Sequence, residues 1–158
     1  MGKPRVYLET SVVSHLTARL SRDLVTVGRQ ELTREWWENH RTSFELFISE
    51  FVVAEAAARD PEAARLRLNS LTGVPEVSLD MEAKALARSL IERGPIPREA
   101  ALDAFHIAAA VAGGADYLLT WNFKHLANAA LRRGIDVVCQ AEGYEPPVIC
   151  TPEELMGP

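Results

Sequence analysis

The sequence predicts an α/β domain with a central, mostly parallel sheet of four to five strands. Short runs rich in β-branched and aromatic residues alternate with longer helical segments, the pattern of strands joined by crossover helices. Residues 97–123, PREAALDAFHIAAAVAGGADYLLTWNF, hold an alanine-packed helix, a Gly-Gly turn and a strand in succession. Right-handed crossovers would then cover the sheet with helices on both faces.

Residues 5–9, RVYLE, read as the first strand, and Thr10-Ser11 can cap a helix over VVSHLTARL. Ser21 is the expected cap of a long helix over residues 22–41, with Leu24, Val27, Leu32, Trp36 and Trp37 as its apolar stripe. SFELFIS is the second strand, and Ser49 caps the helix EFVVAEAAARD. Asp60-Pro61 breaks and restarts the chain into a helix that runs to Gly73. PEVSLD is extended, and Asp80 opens the helix MEAKALARSLIERG. Pro95-Ile96-Pro97 links it to the central helix. DYLLT is the next strand, NFKHLANAALRRG a helix closed by Gly134, and IDVVC the last strand. The tail YEPPVICTPEELMGP reads as an edge piece or a partner-binding segment.

At 158 residues the chain is expected to form one domain, 1–158, with a full core. Its hydrophobic content of 47% and charged content of 25% are those of an ordinary globular protein, with no apolar run of membrane-spanning length. The first residues enter a strand with no apolar signal region, so a cytoplasmic location is expected. Cys139 and Cys150 have neither CxxC nor zinc spacing and read as free or buried thiols. A net charge of −5 argues against gripping nucleic acid by overall charge, while leaving room for local basic patches.

In open α/β sheets, ligands bind beyond the carboxyl ends of the strands. Glu9 ends the first strand and Asn122 follows the fourth, while Glu55 and Asp103 lie on helices that start at that edge. Three carboxylates and a carboxamide would converge there, and a divalent cation is the natural remedy for their repulsion. Asp103 is the polar exception on an apolar helix and is expected beyond the first turn, where the helix dipole no longer explains a charge. Glu99 belongs to that first turn, and the dipole accounts for it. Asn122 fits a helix cap as well as a ligand, and His106 a satisfied core histidine better than a ligand. His15, His40 and His125 have no informative spacing.

The segments VYLETSVVS, ISEFVVAEAA and ALDAFHIAAAVAGGADYLLTWNFKHL, in this order and spacing, resemble the PIN domain, the metal-dependent ribonuclease fold of the VapC toxins. The resemblance implies a PIN-like three-layer α/β/α architecture. It also implies Mg2+ or Mn2+ held by Glu9, Glu55 and Asp103 with help from Asn122, and hydrolysis of single-stranded RNA. Glu9 stands where Asp is usual, and Asn122 at a position that is acidic when the fourth acid is present. An antitoxin partner and a homodimer are implied too. The alternative is a catalytically degenerate PIN-like module that binds RNA or protein. A carboxylate-bound Mg2+ phosphoryl-transfer enzyme is a further alternative, without a P-loop glycine pattern to support it.

Overall fold

Five parallel strands form the sheet of the computed structural model, which describes residues 2–158. The strands are β1 (Arg5–Leu8), β2 (Glu45–Ser49), β3 (Glu76–Val77), β4 (Tyr117–Leu119) and β5 (Val148–Cys150). Their order is β3-β2-β1-β4-β5, with Tyr7 level with Phe47 on one side and Leu118 on the other. β1 is therefore the middle strand, and Val6, Tyr7 and Leu8 are fully buried. Strands covered on both faces carry such continuous apolar runs. At the opposite end from the predicted site, Asp116 accepts a hydrogen bond from the Arg5 amide at 2.8 Å and ties β4 to β1.

The helices are α1 (Thr10–Thr17), α2 (Leu24–Asn39), α3 (Glu50–Ala56), α4 (Pro61–Ser70), α5 (Met81–Glu92), α6 (Ala101–Ala112) and α7 (Ala129–Ala141). They cover the sheet in three α/β/α layers around one apolar cluster. No helix among the described residues is long and apolar enough to cross a membrane. Both cysteines are free and buried, as expected.

Several boundaries differ from the sequence reading. IDVVC is not a strand: it is the second half of α7, with Ile135, Val138 and Cys139 buried at helical spacing. Gly134 does not close that helix. A Cβ there would lie 3.1 Å from Pro95 Cγ, so the glycine permits close packing inside the helix. The last strand is instead VIC in the tail, at the sheet edge where Pro146 and Pro147 interrupt no ladder. The helix expected from Asn122 starts at Ala129, capped by Asn128.

Asp23, rather than Ser21, caps α2, and Leu24 is 84% exposed, so it lies outside the buried stripe. Gln30, Thr33 and Trp36 are the buried positions, with Thr33 accepting the Trp121 indole N–H at 2.7 Å. α1 is capped by Glu9 itself and ends at Thr17, and α3 ends at Ala56. Asp103 proves to lie in the first turn of α6, because residues Arg98–Ala100 form a separate 3-10 turn ahead of it. The helix dipole does favour its charge.

Candidate metal centre

The strand order reverses at β1: the chain runs outward through β2 and β3, then returns to place β4 on the other side of β1. Crevices at such switch points are the usual ligand sites of open α/β sheets. Glu9 follows β1 there and Thr120-Trp121-Asn122 follow β4.

Glu9 leaves β1 in extended conformation and caps α1, which fixes its side chain against the helix start. One carboxylate oxygen accepts from the Ser11 and Thr120 hydroxyls, both at 2.5 Å, and the other from the Ser11 amide at 3.1 Å. Only 5% of the residue is exposed, and among the described residues no lysine or arginine pairs with it. Glu55, on the last turn of α3, accepts from the Thr10 hydroxyl at 2.7 Å and meets His106 Nε2 at 2.6 Å. Burial pulls its pKa upward, but the His106 and Thr10 hydrogen bonds and the nearby His106 and Arg59 charges outweigh it and hold the carboxyl below its ordinary value.

Glu9 and Glu55 line one cavity of about 330 Å³, with Thr10, Ser11 and Ser14 on the α1 side and Arg59 and Arg67 opposite. Arg59 has a left-handed backbone, with φ of 68°, uncommon for a residue bearing a side chain. Arg67 donates to the Ala56 and Ala58 carbonyls, closing the carboxyl end of α3. One buried and one half-buried carboxylate facing a shared cavity suit a hard divalent cation, which favours oxygen donors and neutralises both charges.

Asp103 and Asn122 form a second group. Asn122 Nδ2 donates to Asp103 Oδ1 at 3.1 Å, and His125 Nδ1 lies 3.0 Å from Asp103 Oδ2. The Asn122 amide oxygen accepts from the Lys124 and His125 backbone amides, both at 3.1 Å, so this side chain holds the turn as well as the carboxylate. Thr120 joins the two groups: its hydroxyl oxygen accepts from the Asn122 amide at 2.9 Å while donating to Glu9. Glu9 and Glu55 thus share a cavity, whereas Asp103 and Asn122 engage each other beside it and are not among its lining residues.

Sequence reading missed His125. Its only signal was N-x-x-H, three residues from an asparagine that folds the turn around its side chain. His106 was read correctly as a satisfied interior histidine, at 1% exposure. It is three residues from Asp103 but turns to Glu55 and Tyr7 instead. Trp36 and Trp121 are packed in the interior, as apolar residues usually are, and not free to stack on bases.

No protein-family model matches this sequence, nor does any curated protein. Among solved structures, the chain is similar to VapBC2 from Rickettsia felis bound to a DNA fragment from its promoter, with a TM-score of 0.59 at 14% identity over 93% of this chain and 98% of that one. The fold is that of the VapC toxins. VapC20 from Mycobacterium tuberculosis, a toxin that cleaves the sarcin-ricin loop, gives a TM-score of 0.58 at 16% identity over 75% of this chain and 91% of its own. The VapC-like fold brings Glu9 and Glu55 to one cavity in this chain, at the edge where the sequence pattern places them.

Proposed function

We propose that the chain is a metal-dependent endoribonuclease, a VapC-like toxin that hydrolyses phosphodiester bonds in single-stranded RNA. The observation that carries this reading is the pair of carboxylates, Glu9 and Glu55, facing one cavity at the switch point of the sheet. Mg2+ or Mn2+ bound there would polarise the scissile phosphate and lower the pKa of an attacking water. Ser11 and Thr120 fix the direction of the Glu9 carboxylate, and Thr10 and His106 that of Glu55. Asp103, held by Asn122 and His125, extends the site along the β4 edge as its third acid. No side chain has to act as nucleophile in this reading, and both cysteines are buried away from the cavity.

In this reading the whole chain, 1–158, is one cytoplasmic domain that works as a homodimer. It is restrained by an antitoxin whose basic segment would suit a protein of net charge −5. The test is cleavage of an end-labelled RNA pool with Mg2+, Mn2+ or EDTA by the wild type beside Asp103→Asn. Metal-dependent cutting that is lost in the folded variant supports the proposal. No cutting in Mn2+ by folded protein freed of any partner would leave the degenerate RNA- or protein-binding module, a reading favoured by the mutual engagement of Asp103, Asn122 and His125.

A further inference from the structure

The carboxyl edge of the sheet carries a second hollow, beyond the paired ends of β4 and β5. It encloses about 380 Å³, and Trp121, Phe123, Arg132, Thr151 and Glu153 are among the residues that line it. That volume falls within the range of about 300–1,000 Å³ usual for small-ligand pockets. None of these side chains serves the metal centre, yet the two places adjoin. Asn122, which donates to Asp103, sits in the chain between Trp121 and Phe123.

The two aromatic rings are held differently. Trp121 is 7% exposed and its indole N–H is tied to Thr33, so it forms an inner wall. Phe123 is 42% exposed, a large apolar ring left at the surface. Arg29, from α2, brings its guanidinium carbon to 4.6 Å from the Phe123 ring centroid and 5.9 Å from that of Trp121, which steadies the open ring. A fixed, exposed aromatic ring beside cationic groups is the usual platform for the flat face of an unpaired base. Arg132 is held by its Nη2, which donates to the Ile149 carbonyl at 2.8 Å, and among the described residues neither Arg132 nor Arg29 pairs with a carboxylate. Glu154 accepts from the Thr151 amide at 2.7 Å and closes the turn after β5, whereas the exposed Glu153 carboxylate has no side-chain partner among the described residues.

We propose that this hollow is a base slot of the RNA site: it holds one unpaired nucleobase beside the scissile phosphate, stacked on Phe123, and prefers guanine. The proposal rests on the ribonuclease reading for its substrate. Guanine alone among the four bases offers two acceptors, O6 and N7, to a guanidinium and two adjacent donors, N1–H and N2–H, to a carboxylate. Arg132 and Glu153 supply that pair of partners at the slot. Arg29 and the exposed Lys124, both beside Phe123, are placed to meet neighbouring phosphates, so a chain of net charge −5 can hold RNA through a local patch.

The test is binding of fluorescein-labelled single-stranded RNA heptamers, all uridine or uridine with one central guanine, adenine or cytosine, to the full chain in EDTA. Anisotropy reads the affinity, and cleavage of the same heptamers in Mn2+ is followed alongside. The guanine heptamer is expected to bind most tightly. Phe123→Ala should raise its Kd about 5- to 150-fold, the loss of one base stack, while Phe123→Trp keeps the affinity of wild type. Glu153→Gln should bring the guanine heptamer to the level of the others. Binding that depends on Phe123 but treats all four heptamers alike would overturn the guanine preference. Heptamers bound and cut equally by wild type and Phe123→Ala would overturn the slot, leave the ribonuclease reading standing and return the exposed ring to a protein contact. No heptamer bound by wild type in EDTA or in Mn2+ would overturn the slot as well. RNA held through Phe123 but never cut in Mn2+ would overturn the ribonuclease reading alone.

Discussion

Removing one oxygen from Tyr7 isolates the polar line beneath Glu55 from the packing around it. Tyr7→Phe keeps the ring, which is fully buried and meets Phe47 edge-on with centroids 5.5 Å apart, so the change opens little space. The hydroxyl bridges Ser49 and His106, and the two lose it unequally. Ser49 Oγ still accepts from the Phe51 amide at 3.2 Å, but His106 Nδ1, on a side chain 1% exposed, is left without its partner. An orphaned buried polar atom costs about 1–3 kcal/mol. For a chain of this length that is a fall in Tm of roughly 2–12 °C, at about 2–4 °C per kcal/mol. Urea unfolding should show the loss as a lower midpoint with an unchanged m-value. A double-mutant cycle of Tyr7→Phe with His106→Leu should return a coupling energy of roughly 0.5–3 kcal/mol. A Tyr7→Phe protein as stable as wild type, with no coupling to position 106, would refute the hydrogen-bonded line.

Other sites give independent outcomes. Gly113→Ala places a Cβ 2.2 Å from Phe47 Cε2, against a ring that is 1% exposed, and should cost about 1–3 kcal/mol by overpacking in urea unfolding. The Glu55 carboxyl sits below its ordinary value of 4.5, so the stability it contributes is complete above about pH 4.5 and lost as pH falls through its folded pKa. Wild type should therefore lose more stability between neutral pH and pH 3 than Glu55→Gln does, and parallel pH profiles would contradict this. Burial pushes the Cys139 thiol up to about 11 and the Cys150 thiol up to about 12, so neither should react with a disulfide reagent at pH 8 until denaturant is added.

Much of this fold is legible because its middle strands are unambiguous. RVYL, ELFIS and YLL are apolar runs closed at the site end by a cap or a turn, and the sheet places Glu9 and Asn122 at the edge where the pattern puts them. IDVVC misleads because Ile135, Val138 and Cys139 fit a strand or one face of a helix equally well, and Gly134 looks like a stop when it is a packing contact with Pro95. The short edge strand β5 carries too few residues to stand out beside two prolines. At the site, residue types were readable and pairings were not. That Asp103 faces Asn122 and His125, while Glu55 faces His106, depends on helix rotation and on a turn closed by Asn122, neither of which spacing in sequence specifies.

The most direct test of the metal-centre account follows RNA cleavage by the purified chain in EDTA and during stepwise return of Mn2+, with bound metal counted on the same samples. The account predicts no cutting in EDTA, activity that rises with occupancy of a site abolished by Glu9→Gln or Glu55→Gln, and loss of both together. Cutting that persists in EDTA, or activity and metal binding that survive both substitutions in folded protein, would contradict it.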